Sequence, residues 1–285
     1  MREIIACTTI LIVIMAKPIE DIYNIRHVEN PVSPLVVLPE KRAIRLRVQE
    51  VIRHHPWSMP ILKELAVFDR GTFRHSRMVA QAAAAFLELP EQEEIGSQLQ
   101  EAFILAAFLH DTGKMSVEGG KAIIEDPSFF PWDSPEMAKM RGHVEAGYDR
   151  INMENSTNDR VGKLAALLMA THHRYQEHGY GVEKKKIEEQ MQQLGLSAEE
   201  REQISFLQRS LAALDQAVGL AQGGEGGHSS MGVNEEAVVK NRLNHEKEGA
   251  EKNPEHGFAK ITDSVMLALR AVGVFDRALP KAQAS

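Results

Sequence analysis

Residues 102–114 read Ala-Phe-Ile-Leu-Ala-Ala-Phe-Leu-His-Asp-Thr-Gly-Lys, an apolar run that ends in a histidine, an aspartate and a lysine. The run has no polar face, which predicts a helix inside a core, and Gly113 is a residue type that ends helices. The pair His110-Asp111 is costly to bury unless something compensates its charge. A metal ion would do so, although a helix-terminal hydrogen bond would explain a single pair of this kind equally well.

Further histidines and an aspartate of the same kind occur along the chain. They are His75 near the start of one predicted helix, His143 in another, His172 and His173 after the apolar stretch 164–170, and Asp215 in the apolar stretch 211–218. With His110 and Asp111 they make seven candidate ligands from five predicted helices. Imidazole and carboxylate groups suit zinc, iron or manganese, and seven ligands with one bridging would suit two octahedral ions.

The composition favours helices and excludes several function classes. The chain has 285 residues, a net charge of -7, 43% hydrophobic residues and only 6% aromatic residues. Its acidic balance argues against a surface for double-stranded nucleic acid. The single cysteine, Cys7, excludes a disulfide framework within the chain and a cysteine-based zinc site, and it suits a reducing cytoplasm.

The apolar run 4–16 is too short to span a bilayer. We interpret it as a first strand or helix, or as the result of a mis-assigned start before Met15, in preference to a secretory signal. The sequence therefore predicts a cytoplasmic protein with no stable membrane span.

The pattern along the chain predicts an all-α fold. A proline-rich lead-in over 17–40 precedes the helical periodicity. Helices are predicted from residue 40 to just before Pro56, and then over 58–68 (with Ser58 as N-cap), 73–89, 93–110, 136–153, 158–173, 183–194, 198–222 and 261–272. Residues 115–135 are predicted to be an irregular loop. We expect an N-terminal extension over 1–56, a catalytic domain over 57–222, and a flexible glycine-rich segment with C-terminal helices over 223–285.

Four ordered motifs carry a resemblance to a known family. They are the helix opening at 73–80; the string at 110–114, which matches HD-x-GK; the string His-Val-Glu-Ala-Gly at 143–147, similar to H-P-E-x-G; and His-His-Arg-Tyr-Gln-Glu-His-Gly-Tyr-Gly at 172–181, similar to H-H-E-R-W-D-G-S-G-Y-P. In this order they resemble the HD superfamily of metal-dependent phosphohydrolases, and in particular its HD-GYP subfamily, over about residues 70–220.

The resemblance implies a fold, a reaction and a set of roles. The fold would be an HD-domain helical bundle with an N-terminal helical extension. The reaction would be the hydrolysis of a cyclic dinucleotide such as cyclic di-GMP, or of a related phosphoester, by a metal-activated hydroxide in a signalling protein. The implied metal ligands are His75, His110, Asp111, His143, His172, His173 and Asp215. Lys114 and Asp111 would be catalytic, and Lys114, Tyr180 and Arg174 would contact the substrate.

Departures from the HD-GYP pattern refine these expectations. Val144 and Gly181 replace prolines, the segment before Gly181 is one residue short, and the R-P-Y motif expected after Asp215 is missing. Gly71 stands where members with three ions place a glutamate, which predicts two divalent ions, iron or manganese. Another HD-superfamily nucleotide phosphohydrolase, a di-iron oxygenase and a non-catalytic HDOD-like scaffold remain the alternatives, and a homodimer remains open.

Overall fold

The structure is a computed structural model that describes residues 39–126, 130, 133–155, 159–175, 179–222, 236–252 and 261–276, with only the backbone described for 39–40 and 245–252. Every regular element in these ranges is an α-helix or a 3₁₀ turn, which confirms the predicted all-α fold. None of the helices in these ranges is long and apolar enough to cross a membrane. The predictions for the N-terminal run, the lead-in and the glycine-rich segment fall outside the described residues.

The described residues form twelve α-helices and two 3₁₀ turns. In chain order they are α1 (Pro39–His54), α2 (Ser58–Phe68), α3 (Arg70–Phe86), α4 (Ser97–Leu109), α5 (Gly120–Glu125), α6 (Pro135–Arg141), α7 (His143–Glu154), α8 (Arg160–Met169), α9 (Lys184–Gln193), α10 (Ala198–Gln222), α11 (Glu236–Lys252) and α12 (Thr262–Val272). The 3₁₀ turns Pro90–Gln92 and Thr112–Ser116 lie on either side of α4. The sequence located α2 and α10 residue for residue.

Helix α4 lies in the core from Ala102 to its end, where it is covered on all sides. Every residue from Ala102 to Leu109 is at most 1% exposed. Helices α3 and α8 pack along it, and α1 and α10 complete its surroundings. Phe103 meets Phe86 of α3, with ring centroids 6.0 Å apart. This all-round burial explains why the sequence of α4 has no polar face.

The predicted cap of α2 is wrong. Trp57 occupies the N-cap position, and the hydroxyl of Ser58 donates to the carbonyl oxygen of His55 at 2.8 Å instead. His55 is buried, and its two ring nitrogens face two carboxylates: Nδ1 lies 2.6 Å from Oδ2 of Asp159, and Nε2 lies 2.9 Å from Oε2 of Glu101. His55 therefore ties the α1–α2 corner to α4 and to the start of α8. We call this arrangement the His55 brace.

The predicted helix over 136–153 is divided by Gly142 into α6 and α7. The Ser134 side chain caps α6 by accepting from the backbone N–H of Met137 at 3.2 Å. Gly142 has helical dihedral angles but belongs to neither helix, and His143 is the first residue of α7. The segment predicted as an irregular loop also contains the short helix α5.

Helix α10 begins with a reciprocal capping box. The hydroxyl oxygen of Ser197 accepts from the backbone N–H of Glu200 at 3.1 Å, and Oε2 of Glu200 accepts from the backbone N–H of Ser197 at 2.9 Å. Each hydrogen bond satisfies a backbone donor that the first turn would leave without a partner. This local signal explains why the start of α10 could be located from sequence.

Candidate metal centre

The seven residues predicted as ligands come together in the structure, mostly at helix ends. His75 lies in α3 and Asp215 in α10; His110 caps α4 and Asp111 follows it; His143 begins α7; His172 and His173 follow the end of α8. All seven are buried, and the most exposed of them, Asp215, has 8% of its surface exposed. Buried imidazoles and carboxylates need compensating partners, so this cluster requires a chemical explanation.

The cluster contains two triads of nitrogen and oxygen donors. His75, His110 and Asp215 form the first triad, and within it one ligand atom from each residue lies within 4.8 Å of the others. His143, His172 and His173 form the second triad by the same criterion. Oδ1 of Asp215 lies 2.8 Å from Nε2 of His75 and 3.3 Å from Nε2 of His110.

Asp111 lies between the two triads. Its Oδ2 is 3.4 Å from Nε2 of His110, and its Oδ1 is 3.5 Å from Nε2 of His143. Each oxygen of the carboxylate therefore faces a different triad. The ammonium of Lys114, which is also buried, donates to Oδ2 of Asp111 at 2.7 Å. This geometry places one carboxylate against both triads.

Three of the histidines are oriented by the backbone in the same way. Nδ1 of His110, His143 and His172 lies within 2.9 Å of a carbonyl oxygen three residues earlier in the chain, in every case near the end of a helix. A proton on Nδ1 that donates to this carbonyl leaves the lone pair on Nε2, which is the atom facing the cluster. The same arrangement orients histidine ligands in many metal sites.

The charges of the cluster are those that cations require. Burial would raise the pKa of Asp111, but Lys114 and His110 outweigh it and hold this pKa well below its usual range. Burial lowers the pKa of His143 to about 3 and that of His172 to about 4. At neutral pH these histidines are neutral and Asp111 is ionised, which are the protonation states that bind metals.

His110 is the exception among the buried imidazoles. Burial lowers its pKa, but the carboxylates of Asp111 and Asp215 outweigh burial and raise the pKa to about 10. Its Nε2 is buried and makes no hydrogen bond within the described residues. A positive charge is therefore favoured at this point of the cluster, and its neighbours supply anionic oxygens. These features fit divalent cations held by the two triads and Asp111.

Tyr180 and Arg174, the further residues predicted to contact substrate, lie in and beside the loop 179–182, which follows the second triad. The ring of Tyr180 is stacked on the ring of His173, with centroids 4.7 Å apart and planes 20° apart. Burial, with Asp111 and Asp215, holds the pKa of Tyr180 well above its usual value, so the phenol stays protonated. The guanidinium of Arg174 donates to the carbonyl oxygen of Val182. The motif predicted that these residues lie near the site, but it did not predict the stack of Tyr180 on His173 or the hydrogen bond of Arg174 to Val182.

Comparison with known protein families identifies the fold around this cluster. The HD domain matches residues 72–216, which include both triads and Asp111. The chain belongs to the HD-domain family. HD domains are typically metal-dependent hydrolases, and the histidine and aspartate clusters of this HD domain are consistent with divalent metal binding. No curated protein matches the chain.

Sequence reasoning missed two features that position the site. The first is the close contact between Gly113 and α7, where a Cβ on Gly113 would lie 2.5 Å from the backbone nitrogen of Gly147 and closer still to the carbonyl oxygen of His143. The second is the stack of Tyr180 on His173. The first joins segments that are distant in sequence, and only the glycine in HD-x-GK could have suggested it; the second depends on how the loop 179–182 packs on His173.

Proposed function

We propose that this HD-domain protein is a phosphodiesterase of HD-GYP type that holds two divalent ions, iron or manganese, and hydrolyses a cyclic dinucleotide or a related phosphoester. The position of Asp111 carries the proposal, because each of its carboxylate oxygens faces one of the two triads. Two ions held in this way would neutralise phosphate charge and lower the pKa of a bound water. The predicted ligand roles of the seven clustered residues are part of the proposal.

Lys114 supports a hydrolytic role for the cluster. Its ammonium is 3% exposed and donates to Asp111, so it lies beside the position where both triads meet. An ammonium there would stabilise negative charge that develops on a phosphate oxygen, or it would protonate the leaving oxygen. A purely structural cluster would have no need of a buried lysine in addition to His110.

Metal analysis and an activity panel test the proposal. The protein is purified without chelator and its metals are quantified. It is then assayed with bis(4-nitrophenyl) phosphate, with cyclic and linear dinucleotides and with mononucleotides, and its oxygen consumption is recorded. We expect about two equivalents of iron or manganese, as in two-metal hydrolases, and release of linear dinucleotide from a cyclic one. Asp111→Ala should lose metal and activity together. Lys114→Met should keep the metal and lose about 10²–10⁴-fold in kcat, the usual contribution of a general acid.

A matched control and the contrary outcomes make the test decisive. Lys121→Met removes an exposed lysine of α5 that pairs only with Glu125 among the contacts described, and it should change neither metal content nor kcat. Protein without metal would favour a scaffold. Turnover of mononucleotides but of no dinucleotide would favour another HD phosphohydrolase, and oxygen consumption would favour an oxygenase. Full activity in Asp111→Ala without metal would refute the proposal.

A further inference from the structure

The face of His173 is covered by the loop 179–182. The backbone N–H of Val182 donates to the carbonyl oxygen of Ala170 at 3.0 Å, which holds this loop against the end of α8. The same loop presents the ring of Tyr180 to the face of His173.

Two glycines place Tyr180 against His173. A Cβ on Gly181 would lie 2.6 Å from the carbonyl oxygen of Ala170, and a Cβ on Gly179 would lie 2.8 Å from the carbonyl carbon of Arg174. The loop backbone thus lies directly on the backbone that follows α8, at a separation that side chains would prevent. Arg174 adds a hydrogen bond to the carbonyl oxygen of Val182 from its guanidinium.

The imidazole of His173 is consequently enclosed by rings. The centroid of the His172 ring lies 4.1 Å away and that of the His143 ring 5.2 Å away, while Tyr180 covers another face at 4.7 Å. Nδ1 of His173 lies 4.0 Å from Oδ2 of Asp215. A flat ring at this distance restricts rotation of the imidazole about its bond to Cβ. A branched aliphatic side chain would not restrict it to the same plane.

We propose that Tyr180 is a positioning residue for His173, and that its stacked ring fixes the plane of this imidazole, so that the second triad binds its ion tightly. The proposal rests on the proposed function, since it assumes that both triads hold metal. Tyr180 acts here through His173 and not through a contact with the substrate.

A titration of metal-free protein with Mn²⁺ tests the role of Tyr180 without any activity measurement. The wild type should bind two ions. Tyr180→Leu should bind one ion as tightly as the wild type and the other about 10–100-fold more weakly, which is the usual effect of removing a group that orients a ligand. Tyr180→Phe keeps the ring and should bind both ions like the wild type. Gly181→Ala keeps the tyrosine but displaces the loop, and it should weaken the same ion.

Tyr148→Leu serves as the matched control, because Tyr148 is a buried tyrosine of α7 whose hydroxyl donates to Gln190, away from the triads. It should lower the melting temperature and leave both Mn²⁺ affinities unchanged. If Tyr180→Leu binds both ions with wild-type affinity, the positioning role is wrong while the proposed function stands. If Tyr180→Phe is as weak as Tyr180→Leu, the ring is not the element that matters. If the wild type itself binds no Mn²⁺, the proposed function fails first.

Discussion

Replacing Gly113 by alanine would push the 3₁₀ turn Thr112–Ser116 away from α7. The new Cβ would lie 2.8 Å from the carbonyl carbon of His143 and 2.5 Å from the backbone nitrogen of Gly147, distances that are too short for carbon contacts with backbone. Both obstructing groups are backbone atoms in the first turns of α7, so the overlap cannot be relieved by rotation of a side chain. The two backbones must separate by on the order of 1 Å, and the displaced turn carries Lys114.

Two effects of opposite sign determine the stability of Gly113→Ala. Removing a glycine restricts the unfolded chain and alone would stabilise the protein by about 0.4–1 kcal/mol. Forcing an extra methyl into a packed contact costs about 1–3 kcal/mol. The overlap should dominate, and the free energy of unfolding should fall by about 1–2 kcal/mol. A shift of about 1 Å between Lys114 and the triads should lower kcat by about 100-fold.

Urea unfolding measures the loss of stability in Gly113→Ala, and the phosphodiester assay measures the loss of kcat. Gly142→Ala is the matched control, since Gly142 lies next to His143 with helical dihedral angles and its Cβ would meet nothing nearer than the Lys139 carbonyl oxygen at 3.2 Å. That variant should stay within about 0.5 kcal/mol of the wild type, as surface substitutions usually do. A Gly113→Ala protein as stable and as active as Gly142→Ala would show that the close approach of the turn to α7 does not position the site.

Three further predictions concern the cap of α10, the His55 brace and the protonation of the cluster. Ser197→Ala should lower the free energy of unfolding by about 1 kcal/mol. The hydrogen bond from the Ser197 backbone N–H lowers the pKa of Glu200, so the stabilisation that Glu200→Gln removes should be present above the unfolded pKa of about 4.5 and disappear as the pH falls through the folded pKa. Urea unfolding at several pH values measures both effects. His55→Leu leaves two carboxylates facing an apolar group and should cost about 1–3 kcal/mol with unchanged metal content, and an unchanged urea midpoint would contradict the brace. Burial lowers the pKa of His110, but the carboxylates of Asp111 and Asp215 outweigh burial and raise this pKa to about 10. Binding of Mn²⁺ below that pH should therefore release a proton and become tighter as the pH rises. Calorimetry in buffers of different ionisation enthalpy measures the proton release, and finding none would contradict the prediction.

Local signals made much of the fold predictable. The start of α10 has the capping-box residues Ser197 and Glu200, and α4 has an apolar run typical of a buried helix. The break at Gly142 was missed because the residues on both sides have helical periodicity, and only the turn into α7 reveals that two helices meet there. Ser58 is a suitable N-cap residue by type, but Trp57 occupies the N-cap position, and the Ser58 hydroxyl donates to the carbonyl oxygen of His55.

The residues of the candidate site were predictable from the sequence, but the contacts that position them were not. Short motifs identified six of the seven residues that the fold gathers, and the seventh, Asp215, was identified as a lone carboxylate in an apolar stretch. Their roles as ligands stay predictions, as does the HD-GYP assignment. The contacts that position them were not predictable, since the approach of Gly113 to α7 joins segments that are distant in sequence and the stack of Tyr180 on His173 depends on how the loop 179–182 packs against the end of α8.

The carbonyl acceptors of His110 and His172 have a consequence for the electric field in the cluster. Both carbonyls belong to the last turns of α4 and α8, so these two helices end at the cluster and direct the negative ends of their backbone dipoles toward it. α7 opposes them, because it begins at His143. Each helix end contributes about 0.3–1 kcal/mol to a nearby charge, so the main chain on the His110 and His172 side attracts cations before any side chain binds one. A variant that has lost a single histidine ligand should for this reason still bind Mn²⁺ weakly on that side and be inactive while it retains some metal, whereas the loss of Asp111, which faces both triads, should remove both ions.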